Sequence, residues 1–357
     1  MDEKFIRKSV YDCAFDANLD KFNSKAFEYF GNKVSYLDFF VKVEEAYKSF
    51  RKIGIGKGDV VSICLANTPE VFYIFFALNK LGAIVNVINP TVNTDIINEQ
   101  IENNDSKMII YFDILYPKLV NLFNYSKIDS IVSVPLSNSF QPILKAICDI
   151  KDGIENIVKE KTICDKKITT WDEFTKIGID FNEEELDLKD KLDLCCAYVY
   201  DNGKKIELTN RDILSKVNAL ESSKLSWDNG DILLGIMPPY NIEGFYAYLL
   251  AFCSGMRADF IPDASINHFD DYILSHKPNH ILCNKIYLNN FVKSQKLHGR
   301  NLSYLENIFV CDGDLPPINE EIVNALLHKH HSFARVSKSF TMCLDNLELQ
   351  DKKLLTK

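Results

Sequence analysis

Glycine is scarce in this chain: 14 residues in 357, about 4% against roughly 7% in an average protein. Phosphate-gripping loops built on several glycines therefore have few places to sit. No two of the 10 cysteines have C-x-x-C spacing, which excludes zinc ribbons and thioredoxin-type chemistry. Cys195 and Cys196 are adjacent in a strand-like run and point to opposite faces, so they are poorly placed to pair with each other. Thiols scattered through apolar segments fit a reducing cytosol, and a cytoplasmic protein with buried, non-bridged cysteines is expected. A basic excess is also missing. Lys and Arg total 41 against 50 Asp and Glu, a formal charge of −9 with both signs interspersed. That argues against nucleic acid or an anionic membrane as the main partner. The most apolar window, Tyr246 to Phe252, falls far short of the ~18 residues of a bilayer span. The polar start Met1-Asp-Glu-Lys-Phe5 has no signal-peptide core.

What is present is an ordinary globular composition, 46% hydrophobic and 25% charged, in a chain long enough for more than one core. Ser35 and Asp38 form a capping pair before apolar residues at Leu37, Phe40, Val43, Tyr47 and Phe50, the spacing of an amphipathic helix closed by Gly54. Gly54-Ile-Gly56-Lys-Gly58 follows a helix and has the wrong spacing for a dinucleotide fingerprint. Val60–Leu65 reads as a strand, Thr68-Pro69-Glu70 as a helix start, and Ala83–Ile88 as the next strand. This is a βαβ unit and hence part of a parallel sheet. The alternation continues through a helix from Thr94, a strand at Met108–Phe112, a helix near Tyr116–Phe123 and a strand at Ile128–Val134.

Four segments occur in a fixed order: Val34-Ser-Tyr-Leu-Asp38, Gly56-Lys-Gly-Asp59, Ala66-Asn-Thr-Pro-Glu70 and Asn79-Lys-Leu-Gly-Ala-Ile-Val-Asn-Val-Ile-Asn-Pro90. Their order and spacing resemble the N-terminal part of the adenylate-forming acyl-CoA synthetases, the AMP-binding family. The resemblance implies an α/β fold of two βα subdomains with largely parallel sheets sandwiched by helices. It also implies ATP activation of a substrate carboxylate and transfer to coenzyme A. Residues 1–190 form the first expected subdomain, closed by an acidic solvated linker around Glu183-Glu-Glu185. Residues 191–345 form the second, and 346–357 a polar tail.

The stretch Leu194 to Ile213 reads as a strand stopped by Asp201-Asn-Gly203, then a connector, then a helix capped by Thr209 or Asn210. In the related ligases this connector is a Ser/Thr/Gly-rich phosphate loop. Here it is about half a dozen residues short and the Thr-Ser-Gly-Thr-Thr-Gly element is missing. Only the end, Leu208-Thr-Asn-Arg-Asp-Ile213, remains. Lost backbone N–H groups and hydroxyls are lost stabilisers of phosphate charge, each worth ~2.7–4 kcal/mol of barrier where such donors act. The resemblance makes Lys204, Lys205, Thr209 and Gly313 remnants of nucleotide binding, with the alternative that the two lysines lie on a solvated turn.

Further departures accumulate downstream. Tyr240, Asn241 and Gly244 in Pro238-Pro-Tyr-Asn-Ile-Glu-Gly-Phe245 are the acyl-pocket candidates, with Asn241 where the family has histidine. Asn284-Lys285-Ile286 replaces the family's Val-Pro-Thr lining. Cys311-Asp-Gly-Asp314 replaces its adenine turn. Leu344 stands at the position of the magnesium-binding glutamate, and a hydrocarbon cannot ligate a hard cation. Asp312 with Asp314 offers too few ligands for calcium or magnesium, and His328, His330 and His331 read as a solvated helix end. The family's ribose-binding aspartate, hinge and C-terminal domain with its catalytic lysine do not appear before Lys357.

No catalytic residue and no metal site are therefore assigned. ATP, magnesium and coenzyme A are expected only if the family activity survives. Three readings stand: a degenerate ligase domain that still binds a carboxylic acid or serves as a non-catalytic partner, a ligase component completed by a partner chain, and a purely structural interaction protein.

Overall fold

In the computed structural model the described residues are 8–125, 128–154, 162–163, 166–182, 186, 188–221, 227–261, 268–297, 299–311 and 335–337. The first helix among the described residues is α1 (Val10–Asn18), whose Ser9 cap is locked reciprocally by Asp12. A hairpin, β1 (Lys25–Tyr29) and β2 (Asn32–Ser35), leads into α2 (Tyr36–Lys52). Ser35 Oγ accepts from Asp38 N at 3.1 Å, the capping contact expected from the sequence.

Next comes a run of alternating elements: β3 (Val60–Cys64), α3 (Glu70–Leu81), β4 (Ile84–Val87), α4 (Thr94–Glu102), β5 (Met108–Phe112), α5 (Tyr116–Tyr125), β6 (Ser130–Val134), α6 (Pro142–Ile154), β7 (Thr162–Ile163), β8 (Lys166–Thr170) and α7 (Trp171–Ile177). The strands β3 to β6 are buried on both faces, as continuous apolar runs in a parallel sheet require. Then come β9 (Cys195–Asp201), β10 (Lys204–Thr209) and α8 (Asn210–Glu221). The second alternating run is β11 (Ile232–Gly235), α9 (Ile242–Cys253), β12 (Arg257–Phe260), α10 (Phe269–His276), β13 (His280–Cys283), α11 (Lys285–Lys293), β14 (Asn307–Val310) and β15 (Arg335–Ser337).

Strand order is β10-β9-β4-β3-β5-β6-β8-β7 in an eight-stranded sheet and β12-β11-β13-β14-β15 in a five-stranded one. The second sheet is parallel throughout, and in the first only the two edge pairs, β10/β9 and β7/β8, are antiparallel. The expected α/β architecture with two largely parallel sheets is therefore present. Two features differ from the sequence reading. Residues 204–209, expected as connector and helix start, form a full strand. The pair β9 and β10 also belongs to the first sheet, so the sheets divide between Thr209 and Ile232 rather than near 190.

The sheets share one aromatic core. Phe39 of α2 stacks on Phe252 of α9 at 4.8 Å, and Phe27 of β1 and Phe72 of α3 meet Phe260 of β12 at 5.4 and 5.5 Å. Asn18 Nδ2 donates to the carbonyl of Phe252 at 3.0 Å, tying the end of α1 to α9. Truncating a fully buried Phe such as Phe72 to Ala costs about 3–5 kcal/mol. The two halves are thus expected to unfold together.

Candidate functional site

Parallel α/β sheets take ligands outside the carboxyl ends of their strands, where successive crossovers leave in opposite directions. In the first sheet β3 leads through α3 to β4 on one side, while β5 leads through α5 to β6 on the other. The crevice therefore lies between the ends of β3 and β5. In the second sheet the same reversal falls between β11 and β13.

Asn67, just past the end of β3, joins the two places. Its Nδ2 donates to the carbonyl of Gly235, the last residue of β11, at 2.9 Å, and to that of Ile261, just past β12, at 3.1 Å. Its Oδ1 accepts from Tyr248 Oη at 2.8 Å. Asn67 is 3% exposed, so this amide closes the seam between the carboxyl edges instead of lining an open pocket.

The acyl-pocket candidates Tyr240, Asn241 and Gly244 fall on the ligand edge of the second sheet, in the turn from β11 into α9. Asn241 is the cap of α9. Its Oδ1 accepts from Glu243 N at 2.9 Å and Gly244 N at 3.3 Å. A Cβ on Gly244 would lie 2.5 Å from the Pro238 carbonyl oxygen, so glycine is required there by close approach of backbone. Tyr240 is half-buried, and burial raises the pKa of its hydroxyl. Across the crevice Asn284 caps α11 in the same way, its Oδ1 accepting from Ile286 N at 3.0 Å and Tyr287 N at 3.2 Å. A cleft of about 210 Å³ near the amino ends of β5 and β6, between Met108, Ser130 and Phe174, shares none of residues 240, 241 and 244.

The nucleotide-remnant candidates Lys204, Lys205 and Thr209 lie on β10. The ladder runs from Lys204 opposite Asp201 to Leu208 opposite Ala197, with a bulge before Thr209. Only Asn202 and Gly203 lie outside it, at φ of 48° and 79°. Two residues with positive φ make the tight turn that matches strand twist, and Asn-Gly is its preferred sequence. This is the missed signal, since Asn202-Gly203 reads equally as a strand stop.

Lys204 is exposed beside the turn. Lys205 is engaged: Nζ donates to Asn104 Oδ1 at 3.2 Å, pairs with Glu207 at 2.8 Å and sits 4.5 Å from the Tyr198 ring centroid. The hydrogen bond to Glu207 raises its pKa. Thr209 is the reciprocal cap of α8. Its N–H and Oγ1 both meet Asp212 Oδ2, at 2.8 and 2.6 Å, and Asp212 N returns a bond to Oγ1 at 3.2 Å. The N-termini of α8, α9 and α11 are thus closed by the chain's own side chains. Helix N-termini are the natural anion sites of such folds.

Two buried amide networks are invisible to local sequence reasoning. Asn86 Nδ2 donates to Ser62 Oγ at 2.9 Å, and Tyr200 Oη donates to Asn86 Oδ1 at 3.0 Å. Burial pushes the Tyr200 pKa up to about 12, so this hydroxyl stays a donor. Asn210 Oδ1 accepts from Val10 N at 3.1 Å and Asn79 Nδ2 at 2.7 Å.

Glu28, Asp259 and His276 bring three potential ligand atoms together. Arg257 fills the place a cation would take. It binds both Asp259 oxygens at 2.7 Å and Glu28 Oε2 at 2.6 Å. Gly313, Leu344, Asp312, Asp314 and the histidines 328, 330 and 331 lie outside the described residues.

Among the described residues, the turn between β9 and β10 consists of Asn202 and Gly203 alone. No helix among the described residues is long and apolar enough to cross a membrane.

Residues 15–187 match the model of the AMP-binding enzyme family. The match ends before the β9–β10 hairpin. Among curated proteins, 4-coumarate--CoA ligase 4 of Arabidopsis thaliana is 25% identical over 284 residues, covering 76% of this chain and 45% of the relative. The 3-hydroxypropionyl-coenzyme A synthetase of Metallosphaera sedula is 34% identical over 85 residues, covering 24% of this chain and 13% of the relative. The chain thus spans less than half the length of these relatives. Among solved structures, the anthranilate CoA ligase AuaEII bound to anthranoyl-AMP superposes with a TM-score of 0.74 at 13% identity, over 93% of this chain and 59% of that one. The N-terminal domain of FACL13 from Mycobacterium tuberculosis gives 0.70 at 14% identity, over 92% and 74%.

Proposed function

We propose that this chain, an AMP-binding enzyme family domain over residues 15–187 on the fold of CoA-ligase N-terminal domains, keeps a ligase scaffold without adenylation chemistry. It works by binding, as a non-catalytic partner or a receptor for a carboxylic acid. The observation that carries this is the β9–β10 hairpin, whose ladder runs from Leu208 opposite Ala197 to a two-residue turn at Asn202 and Gly203. Phosphoryl chemistry relies on donors preorganised around the phosphates, and each lost donor adds about 2.7–4 kcal/mol to the barrier. A closed hairpin supplies none of the extra backbone N–H groups that a loop would.

The occupied groups nearby support the same conclusion. Lys205 is held by Glu207 and Asn104, Thr209 by Asp212, and the helix ends by Asn241 and Asn284. A protein-contact role is favoured by α6, where Ile143 and Ile147, one turn apart, are 73% and 57% exposed. Such adjacent exposure of large aliphatic side chains is a mark of contact surfaces.

The test is ATP–pyrophosphate exchange with the purified chain over a panel of aryl and alkyl carboxylic acids. Exchange at the level of the protein-free blank is expected. Acid-dependent exchange clearly above the blank would show a working adenylation site.

A further inference from the structure

Strand β10 is an edge of the eight-stranded sheet. One side of it pairs with β9, and among the described residues no strand pairs with the other. Lys204, Lys205 and Glu207 are exposed along it. Such an edge presents a row of unpaired N–H and C=O groups on which another strand can add.

The turn decides which of these groups face outward. In a two-residue turn the flanking residues are hydrogen-bonded, so the Lys204 N–H faces the carbonyl of Asp201. Hydrogen-bonded and non-hydrogen-bonded pairs alternate along an antiparallel ladder. Ile206 and Leu208 therefore also bond towards β9, opposite Val199 and Ala197. The N–H and C=O groups of Lys205 and Glu207 point away from the sheet.

A second copy of this chain fits that pattern. A two-fold axis perpendicular to the sheet sets two β10 strands side by side and antiparallel. Outward-facing residues must then oppose outward-facing residues, which leaves registers centred on Lys205, Ile206 or Glu207. The first sets lysine against lysine and the last glutamate against glutamate, and directly opposed like charges are destabilising. The register centred on Ile206 sets Lys205 of each copy opposite Glu207 of the other. Lys205 and Glu207 already pair within one strand at 2.8 Å, so the charges would alternate in sign around the axis. Both opposed pairs would exchange N–H···O bonds. The Ile206 side chains, each half-buried and packed against the core of its own copy, would meet between them. Edge lysines usually keep strands apart. Here the glutamate two residues further on makes the same lysine part of a self-complementary sequence.

We propose that β10 is a self-association surface, at which two copies of this chain join their eight-stranded sheets into one continuous sheet about Ile206. The surface needs only the hairpin edge, so it goes beyond the loss of adenylation chemistry and would survive the failure of that reading.

Sedimentation velocity of the full chain over about 1–100 μM, where a small interface is expected to associate, tests this. The wild type should pass from monomer to dimer. Glu207→Lys and Lys205→Glu each set like charges across the axis and should stay monomeric over the same range. Mixed in equal amounts, the two variants should dimerise again, because each carries the sign that the other lacks. A wild type that stays monomeric throughout would leave the edge to a strand of some other chain and overturn self-pairing. A dimer that persists in either variant alone, or that mixing the two folded variants does not restore, would overturn it as well. Should one variant not fold, the wild-type series and the other variant decide the question by themselves.

Discussion

Lys205 Nζ lies 3.2 Å from Asn104 Oδ1, and Nδ2 of the same amide donates to Tyr200 Oη at 2.7 Å. Both strands of the β9–β10 hairpin are therefore wired to the turn between α4 and β5. A lysine positioned to meet phosphate would need its ammonium free above a loop. Lys205 instead braces a sheet edge, and its removal should be a small structural event. More than a third of its side chain is exposed, so Lys205→Met is expected to cost at most about 1 kcal/mol in urea unfolding. Nucleotide binding should not change, and a drop in ATP affinity would contradict the assignment.

Gly203 holds φ at 79°, and a methyl group added at its Cα would meet nothing within 4 Å, so only backbone strain opposes a side chain there. Gly203→Ala should cost about 1–2 kcal/mol, seen as a lower urea midpoint at unchanged slope. Gly203→Asn should cost less, because Asn tolerates this region. Equal costs for the two would mean the turn is not the one described.

Asn67→Ala would strip two carbonyls and the Tyr248 hydroxyl of their partner at a buried junction. A loss of about 2–4 kcal/mol is expected. Because the two sheets share a core, the variant should still unfold in one transition. Two separated transitions in denaturant would contradict the coupling.

Gly244→Ala separates packing from ligand contact. A Cβ placed 2.5 Å from the Pro238 carbonyl forces the β11–α9 turn to shift, at about 1–3 kcal/mol. Unchanged stability with altered carboxylic-acid binding would instead mark Gly244 as a pocket wall.

Asp231 gives a pH prediction. Burial opposes its ionisation, but the hydrogen bond from His280 Nε2 at 2.9 Å and that from Asp228 N outweigh it, and the folded pKa lies below the ordinary value. A depressed carboxyl contributes stability above its unfolded pKa of about 3.9, and that stability is lost as pH falls through the folded value. Asp231→Asn should therefore lose stability at neutral pH and flatten the acid limb below about pH 4. Trp227, whose ring lies tilted at 31° against that of His280 with centroids 4.7 Å apart, reports the transition by fluorescence. An acid limb unchanged by the substitution would rule Asp231 out as its source.

Much of the fold is legible locally. The Thr68-Pro69-Glu70 start and the apolar runs at Val60–Cys64 and Ile84–Val87 mark a βαβ unit that the structure contains. The hairpin is harder to read, because Asn202-Gly203 stops a strand as well as turning one. The alternation of Lys205, Ile206, Glu207 and Leu208, read at period two, indicates the returning strand. The amides that order the interior lie beyond local reading. Asn67 meets Gly235 168 positions away, and Asn79 meets Asn210 131 positions away. Nothing in a single sequence distinguishes such an asparagine from one in a solvated turn.

Calorimetric titration of Mg·ATP into this chain tests the proposed loss of nucleotide chemistry most directly. With the β9–β10 turn closed at Asn202 and Gly203, no saturable heat is expected up to on the order of 1 mM nucleotide, the upper end of ordinary enzyme affinities. A saturable isotherm in the micromolar range, weakened by inserting bulk at Lys204, would contradict it.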